Sequence, residues 1–479
     1  MAKLDEQTIN EIRNKADIVD VISKYISVEK KGKDYKAICP FHDDHDPSLS
    51  ISTDKQIYKC FVCGAGGNVF GFVSGIEHVS FVESVVKVAE YAHVDIPGVL
   101  LKQKAVDPQK QRDYKIMQEA NNYFRYSLNS EAGANYLSFL SERGIDSKSI
   151  EYFGVGASLG DQSLSQFLIA KGYSEADLVK LDLARLTDSG LSDVFYGRVT
   201  FPIVDREGQV IAFSARTIDK NNSIKYINSS QTPVYTKGNV LYNIHHARPS
   251  ALKENCVIVV EGVTDVFAYY KAGFENCLAT LGTACTTQQL NQIKQCSWNV
   301  VLSYDGDRAG LDANYKIGKL LTDMKCRVEV CYNIGMDPDE TIRSSGVDAL
   351  RKVFNDKMTW IQFCMQYAQM RFGLENHQNR KRVVEFMVEH LRHLEVLDQS
   401  YYIAKLAALT GFRESDIGSM ISEQTKTSVQ TYERLRESYK RKNPEPLAYL
   451  EILNQMNLSK QQALRFRNEL GFLPSKSAE

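Results

Sequence analysis

Apolar positions recur along this chain at two spacings. Near the start, Ile9, Ile12, Ile18, Val19 and Ile22 fall at roughly helical intervals, and residues 81–94 repeat that pattern. Between them a Lys-rich turn (Lys30, Lys31, Gly32, Lys33) leads into short β-like pieces that carry Cys and His. Residues 98–112 are polar and read as a linker. Residues 113–250 mix helical and strand patterns. Apolar runs at 256–260, 277–281, 300–304 and 327–332 then alternate with helical stretches after Asp265, at 288–295 and at 309–321. Strands alternating with helices of this length predict a parallel sheet with right-handed crossovers. From 359 to 422 the pattern is helical, with Val383, Val384, Met387, Leu391 and Leu394 on one face. Residues 426–446 are charged and end in Pro444-Glu445-Pro446, before a short helical piece at 447–470.

At 479 residues the chain predicts two to four domains, because one hydrophobic core stops growing near roughly 250–300 residues. A composition 43% hydrophobic and 24% charged excludes global disorder, collagen and a coiled-coil rod. No apolar run approaches the roughly 18 residues that span a bilayer, and Met1 to Glu6 lacks a signal-peptide core. A cytoplasmic protein without membrane contact is expected. In a reducing compartment the ten cysteines argue for metal ligands or inert core thiols. The net charge of −1 hides local bias. Residues 198–253 hold eight Lys/Arg against three acids, Asp205, Glu207 and Asp219.

Cys39-Pro40-Phe41-His42 is followed after 17 residues by Cys60-Phe61-Val62-Cys63. Each two-residue gap lets both donors of a knuckle turn onto one ion, and a closed Cys3His set predicts one structural zinc. His45, in the acidic turn Asp43-Asp44-His45-Asp46, is the rival ligand and is read as a solvated surface residue. Tyr35, Phe41, Tyr58 and Phe61 alternate with Lys33, Lys36, Lys55 and Lys59, a mixture that suits single-stranded nucleic acid. For Phe41 a place in the ribbon's core is the preferred reading. The seven other cysteines show no knuckle spacing and read as small buried groups.

A second constellation lies at strand ends. The run Val257–Val260 meets Glu261-Gly262 with Asp265 beyond, the run at 300–304 meets Asp305-Gly306-Asp307, and the run at 327–332 leads to Asp337-Pro338-Asp339-Glu340. Functional groups gather at the carboxyl ends of strands in an open parallel sheet. Glu261, Asp265, Asp305, Asp307, Asp337 and Asp339 are therefore expected on one edge. Their repulsion calls for hard divalent cations, and Mg2+ combines carboxylates with substrate phosphates. Two such ions stabilise both oxygens of an in-line phosphoryl displacement.

Glu261-Gly262 with Asp305-x-Asp307 resembles the Toprim signature, and Asp305-Gly306-Asp307-Arg308-Ala309-Gly310 and Asp337-Pro338-Asp339-Glu340 resemble its primase form. Together with the zinc element, residues 1–425 resemble a bacterial-type DNA primase of the DnaG family. The resemblance implies a DNA-templated RNA polymerase that makes short primers on single-stranded DNA from ribonucleoside triphosphates, with Mg2+ or Mn2+ as catalytic ion. Glu261, Asp305 and Asp307 become the catalytic set, Glu261 as either metal ligand or general acid/base. Asp265, Asp337 and Asp339 join them around the metal. Gly197-Arg198-Val199, Lys225-Tyr226-Ile227-Asn228-Ser229 and Lys237-Gly238 resemble primase motifs. On that resemblance Arg198, Arg216, Lys225, Tyr226, Asn228 and Lys237 are template or nucleotide contacts. Val263-Thr264 departs from the family's usual Tyr-Met. A replicative helicase is the partner the family implies, yet residues 426–479 are too short for a full helicase-binding bundle, though a helical hairpin fits. A monomer is expected.

The expected fold is multidomain α+β. A zinc-binding domain spans 1–100 and a linker 101–112. A basic mixed α+β subdomain spans 113–255, an α/β Toprim subdomain 256–356, a helical subdomain 357–425, and a linker with a short helical tail 426–479. A Toprim-type nuclease and a non-catalytic single-stranded-DNA-binding protein are the competing readings. A topoisomerase would need a nucleophilic Tyr on a large separate domain, and no segment here is long enough to supply one.

Overall fold

The computed structural model describes residues 6–77, 79, 81–94, 107–188, 190–282, 284–332 and 335–422. The expected tail at 426–479 and the first half of the expected linker, 101–106, lie outside these. The chain divides into two compact units, Met1–Trp360 and Ile361–Glu479.

The first unit opens with helices Glu6–Lys15 and Ile18–Ser23, where the sequence places them. An antiparallel five-stranded sheet follows in chain order: Glu29–Lys31, Asp34–Ala37, Leu49–Ser52, Ile57–Cys60 and Gly66–Gly67. Strand Ile57–Cys60 alternates exposed and buried positions and Leu49–Ser52 buried and half-buried ones, so one face is left to pack. Helices Val69–Glu77 and Phe81–Tyr91 cover that face with Phe72, Val73, Val85 and Val88. Leu252, from far along the chain, completes this core. Beside it Arg248 bonds the Glu77 carboxylate at 3.0 Å and the Ile76 carbonyl.

Helix Pro108–Leu128 replaces the linker expected at 108–112. Asp107 caps it by accepting from the Gln109 amide at 3.0 Å, and Pro108 sits at the first helical position, where no amide hydrogen is needed. Its apolar face (Ile116, Met117, Ala120, Phe124) packs on an antiparallel sheet ordered Tyr226–Asn228, Val210–Thr217, Arg198–Val204, Gly156–Ser158.

The sheet that carries the acids is ordered Cys277–Ala279, Val257–Val260, Asn299–Leu302, Arg327–Val330, all parallel, with an antiparallel edge strand Met358–Thr359. Val257–Val260 is buried throughout, the continuous apolar run of a strand covered on both faces. Val259 pairs with Leu302 and Leu302 with Val330, so three strands end level and their following residues leave by the same edge.

In the second unit, helices His377–Leu391 and Val396–Thr410 and a helical segment at 414–422 are described. Val383, Val384, Met387 and Leu391 are buried, and Leu394 lies half-buried past the helix end. Among the described residues no single helix is long and apolar enough to cross a membrane.

Candidate metal centres and nucleic-acid groove

Cys39 follows the Asp34–Ala37 strand and Cys60 closes the Ile57–Cys60 strand, so the sheet brings two distant knuckles together. One donor atom from each of Cys39, His42, Cys60 and Cys63 lies within 4.8 Å of the other three. Cys39 Sγ and Cys63 Sγ are 3.8 Å apart, and Cys60 Sγ is 3.9 Å from His42 Nδ1. The Cys60 sulfur accepts from the amides of Val62 and Cys63 at 3.4 and 3.3 Å, which orients it as an acceptor-rich thiolate. Gly64 makes this turn possible at φ +76°, a left-handed conformation that other residues rarely adopt. Burial pushes the Cys39 thiol up, so an apposed cation is needed to hold it as thiolate. This donor set fits tetrahedral zinc.

Asp44 organises the cluster, and the sequence reading passed over it as part of an acidic turn. One of its oxygens accepts from the Cys39 amide at 2.7 Å and the Ser48 hydroxyl at 2.6 Å; the other faces His42 Nε2 at 3.5 Å. A carboxylate behind a ligating His fixes its ring and tautomer. His45 stays outside the cluster, exposed beside Asp43 and Arg327. The aromatics divide. Tyr58 is buried, and Phe41 stacks on it and meets Phe72 edge-on, so both belong to the core. Phe61 is 75% exposed, with the Lys59 ammonium 5.7 Å from its ring.

At the other site Asp265, Asp305 and Asp337 bring one carboxylate oxygen each within 4.8 Å of one another. Asp265 is buried in the first turn of helix Val263–Lys271 and accepts from the Gly262 amide at 3.0 Å. Asp337 caps helix Pro338–Ser345, and Asp307 caps Arg308–Asp323 by accepting from the Gly310 amide at 2.8 Å. Helix N-termini thus hold two of the acids in place. Burial raises Asp305 to about 6, with Asp337 and Asp307 adding to it. Burial, then Asp305 and Asp307, raises Glu261 to about 7. Burial and the neighbouring carboxylates of Asp337 and Asp305 hold Asp265 well above the carboxylate range. Glu261 and Asp307 lie outside the trio yet share its field.

Asp339 also lies outside the trio. Its Oδ2 is bound by Arg343 Nε at 3.0 Å and Arg143 Nη1 at 3.3 Å, which partly offset the burial that raises its carboxyl. Asp337 caps the helix from outside, which turns Asp339, in the first turn, toward the end of helix Ala134–Glu142 and Arg143. Arg143 had no local motif to mark it, since its partner lies 196 residues on.

The basic candidates also divide. Arg216 lies 4.7 Å over the Tyr226 ring and bonds its hydroxyl, which lies near Thr264 inside the Glu261–Asp265 turn. Lys225 and Lys237 are exposed. Asn228 Oδ1 is buried with no hydrogen-bond partner among the described residues. Arg198 is buried and donates to the carbonyls of Ile224 and Lys225 at 3.1 and 3.2 Å, so it holds the loop that carries Lys225. Arg206 on Gln295 and Arg248 on Glu77 are likewise committed inside the fold.

A zinc-type ribbon, a basic antiparallel sheet and a carboxylate-edged parallel sheet are the parts of an enzyme acting on nucleic acid. Comparison with known proteins narrows this. Residues 4–104 match the CHC2 zinc finger family, 123–248 the DNA primase catalytic core N-terminal domain, and 258–342 the Toprim-like family. The DNA primase of Listeria monocytogenes is 35% identical over 424 residues, covering 85% of this chain and 67% of that one. That of Clostridium acetobutylicum is 32% identical, over 90% and 72%. The Aquifex aeolicus primase structure, comprising zinc binding and RNA polymerase domains, is 30% identical with a TM-score of 0.53, covering 87% of this chain and 99% of that one. The RNA polymerase domain of Mycobacterium tuberculosis primase is 27% identical with a TM-score of 0.55, over 62% and 98%. The chain belongs to the DnaG family of bacterial DNA primases, which are DNA-directed RNA polymerases.

Proposed function

We propose that this chain synthesises short RNA primers de novo on single-stranded DNA from ribonucleoside triphosphates. The observation that carries the reading is the trio Asp265, Asp305 and Asp337, held within 4.8 Å at the level ends of adjacent parallel strands. Three carboxylates left to repel one another are a site for hard cations, and we assign Mg2+ or Mn2+ to them. When bound, such ions neutralise charge on the reacting phosphate and on the departing pyrophosphate.

The chain's own residues supply the rest. Glu261, with its proton affinity raised to about 7 and its carboxylate outside the trio, is placed to take the proton of the attacking ribose 3′-hydroxyl. Arg216, locked on Tyr226, sets a fixed positive charge beside the Glu261–Asp265 turn for the triphosphate. Asn228 offers its unpartnered oxygen to a hydroxyl or base edge. Lys225 and Lys237 provide phosphate contacts, and Asp307 keeps the Asp305 loop rigid through its helix cap. Zinc in the Cys39, His42, Cys60, Cys63 cluster folds the ribbon, and exposed Phe61 with Lys59 stacks on template bases. The working division is a zinc module over 1–100, the basic subdomain over 113–255, the Toprim subdomain over 256–356 and a helical subdomain over 357–425.

The test is labelled-ribonucleotide incorporation on primer-free single-stranded DNA with Mg2+ or Mn2+, alongside Asp305→Ala and Cys60→Ala. Short RNA products that vanish in Asp305→Ala support the reading. Undiminished synthesis by Asp305→Ala removes the site assignment, and nicking of plasmid DNA without synthesis would point to a nuclease.

A further inference from the structure

The segment that follows Lys237 is stitched to the acid-bearing sheet residue by residue. Thr286 Oγ1 donates to the Gly238 carbonyl, Gln292 Nε2 to Asn239 O at 2.6 Å, and Gln289 Nε2 to Val240 O at 2.8 Å. Tyr242 then pairs with edge-strand residue Ala279 through both backbone bonds, at 2.8 and 3.2 Å, and Asn243 Nδ2 reaches Cys277 O at 2.9 Å. All three clamping side chains come from one helix and its cap, Thr286 with Thr287–Cys296. The seam ends at Gly238, where an added Cβ would lie 3.0 Å from the Thr286 methyl, a tight approach that would force the clamp to shift. Lys237 is the first exposed residue beyond the anchored end.

Gln289 is the centre of the clamp. Its carboxamide is 2% exposed and fully used. Besides Val240 O, Nε2 reaches Thr280 O at 3.3 Å, and Oε1 accepts from the Thr286 amide at 3.0 Å. Thr280 continues the connection to the acids. Its amide donates to Val260 O at 3.2 Å, directly before Glu261, and its hydroxyl shares a 2.6 Å bond with Tyr304, directly before Asp305. One buried amide therefore ties Val240, three residues after Lys237, to the two strands that deliver Glu261 and Asp305. A buried amide with every group satisfied is costly to disturb and keeps one geometry.

We propose that Gln289, with Thr286 and Gln292, is a positioning residue for the incoming ribonucleoside triphosphate: the clamp fixes the height of Lys237 above the carboxylates. This rests on the reading of Lys237 as a nucleotide contact. The clamp touches neither substrate nor ion. Its loss moves nucleotide affinity and leaves the metal site in place.

The experiment measures incorporation rate against ribonucleoside triphosphate concentration for the full chain and for Gln292→Ala, Gln289→Met, Lys237→Ala and Lys237→Ala/Gln292→Ala. Zinc content, thermal midpoint and Mg2+ midpoint are recorded for each. Gln292 lies on the helix surface, so its variant folds even if the buried Gln289 variant does not. The expected result for Gln292→Ala is a KM raised about tenfold with kcat within about twofold, and unchanged zinc and Mg2+ midpoints. In the Lys237→Ala background the same substitution adds nothing, because the clamp acts through that lysine. An unchanged KM in Gln292→Ala while Lys237→Ala raises it overturns the clamp alone. So does a further additive loss in the double variant, or a fall in kcat and Mg2+ affinity that follows KM. An unchanged KM in Lys237→Ala overturns the nucleotide reading of Lys237 and the clamp with it.

Discussion

Replacing Asp305 by Asn should stabilise the protein without divalent cation and destabilise it, relative to the parent, with one. Asp305 and Asp337 place oxygens within 4.8 Å of each other, and neither has a cationic partner in an ion pair among the described residues. Two unit charges at that distance repel by about 3.5 kcal/mol at an effective dielectric of 20. The rise of Asp305 from 3.8 to about 6 corresponds to about 3 kcal/mol in all, burial being its largest cause and the Asp337 and Asp307 carboxylates adding to it. Asp305 is only partly buried, and solvent screening reduces either figure to about 1–2 kcal/mol. For a core of this size that is a rise in melting temperature of about 2–6 °C. The assay is thermal unfolding followed by tryptophan fluorescence, in cation-depleted buffer without a chelator, so that the zinc cluster is left intact. The only tryptophans, Trp298 and Trp360, both lie outside the ribbon, so the signal reports the catalytic core. Adding Mg2+ to a hundredfold excess over its dissociation constant should stabilise the parent by about 2.7 kcal/mol. The variant should gain little, so the two melting curves exchange order. A lower midpoint for Asp305→Asn in cation-depleted buffer, or an Mg2+ shift as large as the parent's, would refute the account of the acidic trio as a repulsive site completed by cations.

Cys60→Ser should lose one equivalent of zinc by chromogenic chelator assay and unfold the ribbon, since structural zinc supplies on the order of 10–16 kcal/mol in small modules. Phe61→Ala should weaken single-stranded DNA binding by about 1–3 kcal/mol in a filter-binding titration, with zinc content and melting temperature unchanged because the ring is 75% exposed. Gly318→Val should destabilise the core by about 1–3 kcal/mol in urea unfolding, because a Cβ there would lie 2.2 Å from the Trp360 ring. Burial, then His246, lowers His245 to about 4, so it stays neutral in the fold while the unfolded chain takes up a proton near 6.5. Stability is then fully present above pH 6.5 and falls as the pH drops toward 4, by about 1–2 kcal/mol after allowance for partial solvent access. His245→Gln should flatten that slope in urea unfolding at pH 7 and pH 5.

What the sequence makes legible here is local. The two knuckles carry their ligand spacing within four residues each, and the acids sit at the ends of apolar runs whose period marks them as strands. Both patterns survive folding because neighbouring backbone geometry enforces them. What it hides depends on partners distant in the chain. Asp44 reads as one acid in a polar turn until Cys39, His42 and Ser48 are seen around it. Arg198 reads as a free cation in a basic stretch, yet its side chain is spent on two carbonyls of the next loop. The helix start at Pro108 was obscured because polar composition argues for a linker, while its apolar face appears only when Ile116, Met117 and Phe124 are counted with it.

Asp337 and Asp339 show most directly why identity at a motif does not settle role. They are two residues apart in one acidic motif, and either could face the ions. Helix capping decides. With Asp337 as the cap, a carboxylate oxygen of Asp337 lies beside Asp265 and Asp305, while Asp339 is carried into the first turn and met by two arginines. Arg143 and Arg343 thereby offset part of the charge that Asp339 adds beside Asp265 and Asp337. The trio keeps its mutual repulsion as the driving force for cation capture. Reversing that arrangement would require both removing the Arg143 bond and moving the cap. Arg143→Ala alone should therefore leave Asp339 less well neutralised, raising the charge around Asp265 and Asp337 and lowering melting temperature in cation-depleted buffer. That loss should shrink when Mg2+ is added, whereas a purely structural Arg143 would cost the same in both buffers.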